Sequence, residues 1–254
     1  MTRARRAAWW TALLAVGCAA ALWRLPARWV MAWIPASSPI VVVDATGTLW
    51  EARANLALGA PGLRRSLPGA AHWRVTFDGG PGLVLAHPWL RGPVRLDPTW
   101  RGLRLSAQSL QLPASALTTL HAVFNALDPG GEVLLEWPEL LLRPGRVTGS
   151  GSGALRIQWR NASSSLSRVR PLGDYALSLN LTGEGEPVLA LETLRGLLHM
   201  EGAGVLQRGG RAHFDGRAWV EPLAPRETRE ALRPVLDALG PSAGSGGGVV
   251  LRMR

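Results

Sequence analysis

Period-two alternation of apolar and polar side chains is the feature that most narrows what this chain can fold into. In "WEARANLAL", Trp50, Ala52, Ala54, Leu56 and Leu58 fall on one side of an extended chain and Glu51, Arg53 and Asn55 on the other. "WRVTF" sets Trp73, Val75 and Phe77 against Arg74 and Thr76, and "LRIQWR" sets Leu155, Ile157 and Trp159 against Arg156, Gln158 and Arg160. Around the only tyrosine, "DYALSLNL" places Tyr175, Leu177, Leu179 and Leu181 on one face. Such runs are half-buried strands.

Between them lie turns rich in glycine and proline at residues 59–62, 79–82, 128–131 and 209–210, where positive or fixed φ reverses the chain. The fold class expected is therefore mainly β: an antiparallel sandwich or open β-groove of about ten strands, with two short covering helices. In "LRLSAQSLQL" the apolar phase shifts between Leu105 and Leu110, which predicts a bulge or bend.

The first helix is expected in "ASALTTLHAVFNALDPGG", with Leu117, Leu120, Phe124 and Leu127 on one face, Ser115 as N-cap and Pro129-Gly130 as the stop. The second carries Leu232, Val235, Leu236 and Leu239 before Gly240, with Pro234 kinking it or opening its second half. After a flexible "PSAGSGGG", "VVLRM" is expected to return as a last strand.

A different pattern opens the chain. Arg3, Arg5 and Arg6 precede residues 7–23, which carry no charge. As a helix this segment covers about 25 Å against a hydrocarbon core of about 30 Å. Trp9 and Trp10 at one end, and Trp23, Trp29 and Trp33 at the other, suit the two headgroup layers. The basic flank keeps the N-terminus cytoplasmic and sends the bulk across, so residues 1–34 read as a basic tip, a single transmembrane helix and an interfacial segment. The competing account is a signal peptide cleaved after Ala19-Ala20-Ala21. Residues 35–39, "PASSP", read as a linker, and residues 40–254 as a β-rich domain outside the cytoplasm.

Composition restricts the chemistry. The formal net charge is +10, but all 28 basic residues are arginine, and after residue 6 they form no run and recur along strand-like segments, as at Arg101, Arg104 and Arg156. That is the pattern of a solvated sheet face, and no aromatic cluster accompanies it, so nucleic acid is not expected as a partner. Cys18 is the only cysteine and sits in an apolar run, which leaves no disulfide within the chain and no cysteine zinc site.

His72, His87, His121, His199 and His213 lie on different elements without metal-ligand spacing. His213 and Asp215 share one strand face, the geometry of a base and its orienting group, but no nucleophile accompanies them. Glu136 and Glu139 flank Trp137-Pro138 with a spacing that puts them on opposite sides. "GSGSGAL" lacks the lysine and helix of a phosphate loop, and Asn161-Ala162-Ser163 and Asn180-Leu181-Thr182 match the short glycan-acceptor pattern. Five of twelve tryptophans fall in the first 33 residues, which weakens a sugar-stacking account of the rest. No catalytic, cofactor-binding or metal residue is assigned, and no cofactor or small-molecule substrate is expected.

Read in order, several stretches resemble one family. They are "RLPARWV" after the apolar segment, "TGTLWEA", "LTTL", "GGEVLLEWPEL", "GRVTGSGSGALRIQWRNASSSLSRVRPLGDYALSL", "LETLRGLLHMEGAG", "HFDGRAWVEP" and "LRPVLDALG". Together they resemble the general secretion pathway protein N family of the type II secretion system, most strongly between Gly130 and Gly240. The resemblance implies an inner-membrane protein of Gram-negative bacteria whose periplasmic domain helps export folded proteins across the outer membrane. It would act through contacts with the platform, periplasmic connector or outer-membrane channel, without catalysis. Exposed strand edges and an arginine-bearing face suit such contacts. "GTLW" also resembles outward-facing AsmA-like periplasmic proteins, and this gives the alternative of a lipid-handling or bridge protein with a groove lined by Leu56, Leu58, Val75 and Leu177. An envelope hydrolase using His213 and Asp215 is the third class.

In "RPLGDY" the resemblance implies a turn that delivers the chain into a central strand. Tyr175 is then architectural, its ring buried and its hydroxyl partnered at the sheet rim.

Overall fold

Strands pair with their neighbours in sequence along nearly the whole chain, and the exceptions explain the architecture. The computed structural model describes the chain apart from residues 1–8, 11–12, 15, 19, 22, 30–33, 36, 60, 63, 120–121, 145, 151–152, 182–185, 208–210, 243–247 and 254. The first strands among the described residues are β1 (Ile40–Gly47), β2 (Glu51–Leu58), β3 (Arg65–Thr76), β4 (Gly82–Ala86), β5 (Val94–Thr99), β6 (Gly102–Leu105), β7 (Gln108–Pro113) and β8 (Pro129–Trp137). They are followed by β9 (Leu140–Arg143), β10 (Arg146–Gly149), β11 (Ala154–Ser164), β12 (Gly173–Asn180), β13 (Val188–Gly196), β14 (Leu198–Leu206), β15 (Ala212–Val220) and β16 (Val249–Met253). Two eight-stranded sheets result. The N-terminal sheet has the order β1-β2-β3-β4-β5-β6-β9-β10, and the C-terminal sheet β16-β15-β14-β13-β12-β11-β8-β7.

One hairpin runs through both sheets and joins them. Leu105 of β6 faces Leu140 of β9, and Gln108 of β7 faces Trp137 of β8. Three residues forward on one arm match three back on the other, so register is kept across the junction. The ladder breaks at Ser106-Ala107 and Pro138-Glu139, where Pro138 has no N–H to donate. Trp137 Nε1 donates to Ser106 O at 3.0 Å and pins the junction. The phase shift expected as a bulge or bend between Leu105 and Leu110 is this crossing. The outer edge of β7 is covered by residues 89–91, with Gln111 N donating to Trp89 O and Arg91 N to Ser109 O.

Among the described residues sixteen strands replace the expected ten or so. The excess comes from segments that alternation does not reveal, such as the continuous apolar start of β1, the proline-containing β5, and the run Leu140-Leu141-Leu142 in β9. β2 also departs from its expected register. Ala52 and Ala54 are buried as alternation requires, but pairing with β3 slips between Asn55 and Ala57, and Ala57 is buried in place of Leu56 and Leu58.

The expected first helix is two pieces, a 3-10 helix over Ala114–Thr119 and an α-helix over Ala122–Leu127. Ser115 lies inside the 3-10 turn and is not a cap. Its carbonyl accepts from Thr118 Oγ1 at 2.8 Å, so hydroxyls compete for the backbone and favour the tighter turn. Leu127 is buried while Phe124 is exposed. Asp128, at φ 43°, ends the helix, and Pro129 is already the first residue of β8. His121 and Leu120 lie outside the described residues.

The second helix, Arg226–Leu239, is continuous through Pro234 and buries Leu232, Val235 and Leu236. It closes one end of the C-terminal sheet, where Leu172, Tyr175, Leu198, Met200, Ala218 and Val249 are buried with it. A smaller cluster of Leu112, Ala114 and Val133 lies under the 3-10 helix. Neither cluster draws a residue from β1–β6, β9 or β10, so the two sheets do not share a sandwich core.

Tyr175 stands at the centre of the larger cluster. Its ring tilts against Trp159 at 5.8 Å, and its hydroxyl donates to Leu198 O at 3.0 Å. Burial, with the neighbouring Asp174 carboxylate, pushes the phenol far above its ordinary range. Tyr175→Phe is expected to lower stability by about 1 kcal/mol, the net worth of one buried hydrogen bond, read as a shift in denaturation midpoint without change of slope.

Candidate interaction surface

The N-terminal sheet has two unlike faces, one of them apolar, with Ala52, Ala54, Ala71, Val94 and Leu140 buried on it. Register aligns Ala52 with Trp73 and Leu85, and Val75 with Leu83, Leu96, Leu105 and Leu140, on one apolar face. Trp73, Val75, Leu83, Leu85 and Leu96 remain half-buried, and no helix among the described residues lies on them. On the opposite face the same register aligns Thr46, Arg53, His72 and Ala86, with Glu51, Arg74 and Val84 in the next row. These residues line a cleft of about 460 Å³. Arg95 and Asp97 pair further along that face at 2.7 Å.

Among the described residues β1 and β10 are the two edges of this sheet, and β1 is bonded on its outer side at Gly47 by Ala27 N. Its first residues are Ile40, Val41, Val42 and Val43, with Ile40 47% and Val43 50% exposed. Pairing with β2 shifts register between Val42 and Asp44, which turns Val43 outward.

The chain reaches this sheet by a fixed route. Leu49 N donates to Leu25 O at 2.8 Å, Ala27 N donates to Gly47 O at 3.1 Å, and the Trp23 and Trp50 rings stack at 6.1 Å. Trp73 Nε1 donates to Leu49 O from the next hairpin. The segment expected to lie on the membrane surface is thus tied, through Trp23–Ala27, to the β1–β2 turn. Among the described residues no helix is long and apolar enough to cross a membrane, and residues 1–8, 11–12, 15, 19 and 22 of the expected anchor lie outside them. Of the expected interfacial face, Trp29 is exposed, and Val30 and Trp33 lie outside the described residues.

The residues weighed for chemistry are dispersed over the two sheets. His213 Nε2 lies 3.3 Å from Asp215 Oδ2, and Arg252 Nε is 3.3 Å from the other oxygen of the same carboxylate. They form one rung of an exposed ladder on β14–β16 that continues with Glu201–Arg217 and His199–Glu221, while Trp219 stacks against His199 at 5.4 Å. Such pairing describes a solvated sheet face. Glu136 and Glu139 are split between the sheets by the crossing, Glu136 in β8 and Glu139 beside β9, where it faces Arg104 at 3.9 Å.

His72 lines the cleft and His87 packs edge-on to Trp89, where burial lowers its pKa. Among the described residues no cluster of His, Cys, Asp or Glu has the arrangement of a metal site. Asn161 sits at a β11 bulge with φ 49°, its N–H held by Asp174 Oδ1 at 2.7 Å, and Thr182 of the second glycan pattern lies outside the described residues. Of the expected groove lining, Leu56, Leu58 and Val75 belong to the N-terminal sheet, and Leu177 belongs to the C-terminal sheet beyond the crossing.

An edge strand with exposed apolar side chains, a half-buried apolar face and a charged opposite face are the features of a β-sheet protein suited to contacts. Residues 38–252 match the family model of type II secretion system protein N, and the chain belongs to that family, whose members are components of the secretion system. No curated protein and no solved structure matches it.

Proposed function

We propose that the protein is an inner-membrane component of the type II secretion system, held by residues 7–23 with its N-terminus cytoplasmic and its two sheets in the periplasm. It aids export of folded proteins by binding the platform, periplasmic connector or outer-membrane channel, without chemical turnover. The observation that carries this reading, beside the family, is the outer side of Ile40–Val43 in the edge strand β1, which pairs with no other strand among the described residues and whose exposed Ile40 and Val43 are a template for a partner's strand.

Charged side chains at an edge oppose strand addition and leave the fold untouched when they replace exposed residues. Ile40→Lys with Val43→Lys is expected to keep the wild-type thermal midpoint, and to reduce both secreted enzyme and periplasmic crosslinks to secretion components severalfold in a deletion strain. Wild-type secretion and crosslinking by the double variant would remove β1 as the contact. A second reading, lipid handling, has its own observation in the half-buried apolar face of the N-terminal sheet. Severalfold enrichment of lipid on the purified full chain, lost on Leu83→Glu with Leu96→Glu, would favour it.

A further inference from the structure

Four turns lie side by side at one end of the N-terminal sheet: those joining β1 to β2, β3 to β4, β5 to β6 and β9 to β10. Hydrogen bonds tie them into a row. Val75 N donates to Trp50 O at 2.7 Å, Arg95 Nη2 to Asp78 O at 2.5 Å, and Arg143 Nε to Arg101 O at 3.1 Å. Two tips carry a large aromatic in the open, Phe77 at 67% and Trp100 at 87% exposure. Arg101 lies over the Trp100 ring at 4.3 Å, and Arg143 and Arg146 flank the last turn, with Asp78 and the exposed Glu51 beside the first turn as the acidic groups at this end.

Single exposed aromatics on a surface need no explanation, but these share an end with the first turn, onto which the apolar N-terminal segment docks. Leu25 and Ala27 bond to it, and Trp23 stacks on Trp50. Whatever holds the helical tryptophans therefore lies beside this row.

We infer that this row of turns rests in the headgroup layer of the membrane holding the N-terminal segment, with Phe77 and Trp100 inserted and Arg101, Arg143 and Arg146 meeting acidic headgroups. Amphipathic rings favour that layer, and each arginine near an anionic surface adds attraction that salt weakens. The crossing to the C-terminal sheet lies at the opposite end of β6, so the C-terminal sheet and its helix stand away from the bilayer. The inference rests on the membrane-anchor reading above.

The test uses the full chain with Cys18→Ser and one new cysteine, Phe77→Cys, Trp100→Cys or Leu223→Cys, each carrying an environment-sensitive fluorophore. Leu223 is 92% exposed in the C-terminal half and serves as the reference. The protein is placed in vesicles of phosphatidylethanolamine and phosphatidylglycerol containing spin-labelled lipid. Co-flotation with vesicles reads the anchor; blue shift and quenching of the fluorophore read the tips. The expected result is flotation of all three, with labels at 77 and 100 blue-shifted and quenched severalfold more than at 223, and less so in high salt or without phosphatidylglycerol.

A second readout uses unlabelled protein. Trypsin is expected to cut after Arg101 severalfold more slowly in vesicles than in detergent, with cleavage after Arg195 unchanged. Flotation with labels at 77 and 100 as aqueous as at 223, or equal cleavage after Arg101 in both settings, overturns the inference and leaves the anchor standing. Failure to float overturns both.

Discussion

Gly216→Val is expected to cost about 3 kcal/mol or more and to leave the C-terminal sheet largely unfolded at growth temperature. Gly216 sits in β15 opposite Gly202 of β14 and Leu251 of β16, on the face that carries Phe214. A Cβ at 216 would stand 2.6 Å from Glu201 O, 2.9 Å from Phe214 Cε1 and 3.1 Å from Gly202 Cα. Two of these are backbone atoms held in the ladder, so relief requires the strands to separate. Phe214 is itself nearly buried, and a Cβ at Gly202 would run into its Cζ atom. The ring therefore lies across the glycines, filling what their missing side chains leave open.

Overpacking ordinarily costs about 1–3 kcal/mol, and a clash with backbone belongs at the top of that range or above it. The measurement is the denaturation midpoint of the purified full chain in detergent, where Gly216→Ala should shift in the same direction by less. Phe214→Leu in the Gly216→Ala background should recover part of the loss, since it removes the ring but not the Glu201 carbonyl. Full tolerance of valine would mean that β14 and β15 are not paired as described.

This glycine row shows where sequence reading stops. "GAG" and "DGR" carry no alternation, because the inward positions there are filled by a neighbour's ring and not by their own side chains. Where inward positions carry apolar groups of their own, as in β11 and β12, the faces were legible. β2 was legible as far as Ala54 and then slipped, since the compensating bulge lies on its partner around Leu67–Gly69. Likewise the phase shift between Leu105 and Leu110 is plain in the chain. Its meaning as a passage between sheets requires the matching break at Pro138-Glu139, which one strand cannot reveal.

The same limit governs the surfaces. β1 opens on a continuous apolar run, Ile40–Val43, and only its place at the end of the sheet order makes it an edge. Phe77 and Trp100 are 23 residues apart and belong to different hairpins. Topology sets them in one row. Tyr175 is the opposite case, because a lone polar-tipped ring opening an alternating strand already implies burial and a partner for its hydroxyl. Leu198 O supplies that partner from two strands away.

The other large effect is expected at Leu232, where truncation to alanine should cost about 2–5 kcal/mol and release the C-terminal helix from its sheet. Leu232 is fully buried, with Val235 and Leu236 nearly so, against Tyr175, Leu198, Met200, Ala218 and Val249. The helix has little support of its own. It is 14 residues long, near the length of about 12–15 at which isolated helices are marginal, and Pro234 removes a backbone donor from its interior. Its Arg226–Glu230 pair is solvent-exposed and contributes little. Burial of the leucine stripe therefore decides whether the helix forms at all. In Leu232→Ala, hydrogen exchange should accelerate along residues 226–239 and at the β15–β16 pairing, and the N-terminal sheet, which shares no buried cluster with this core, should keep its protection. Leu239→Ala, at a half-buried position, should show a smaller change confined to the helix end. Uniform acceleration across both sheets would show instead that they unfold as one unit, coupled through the hairpin that crosses between them.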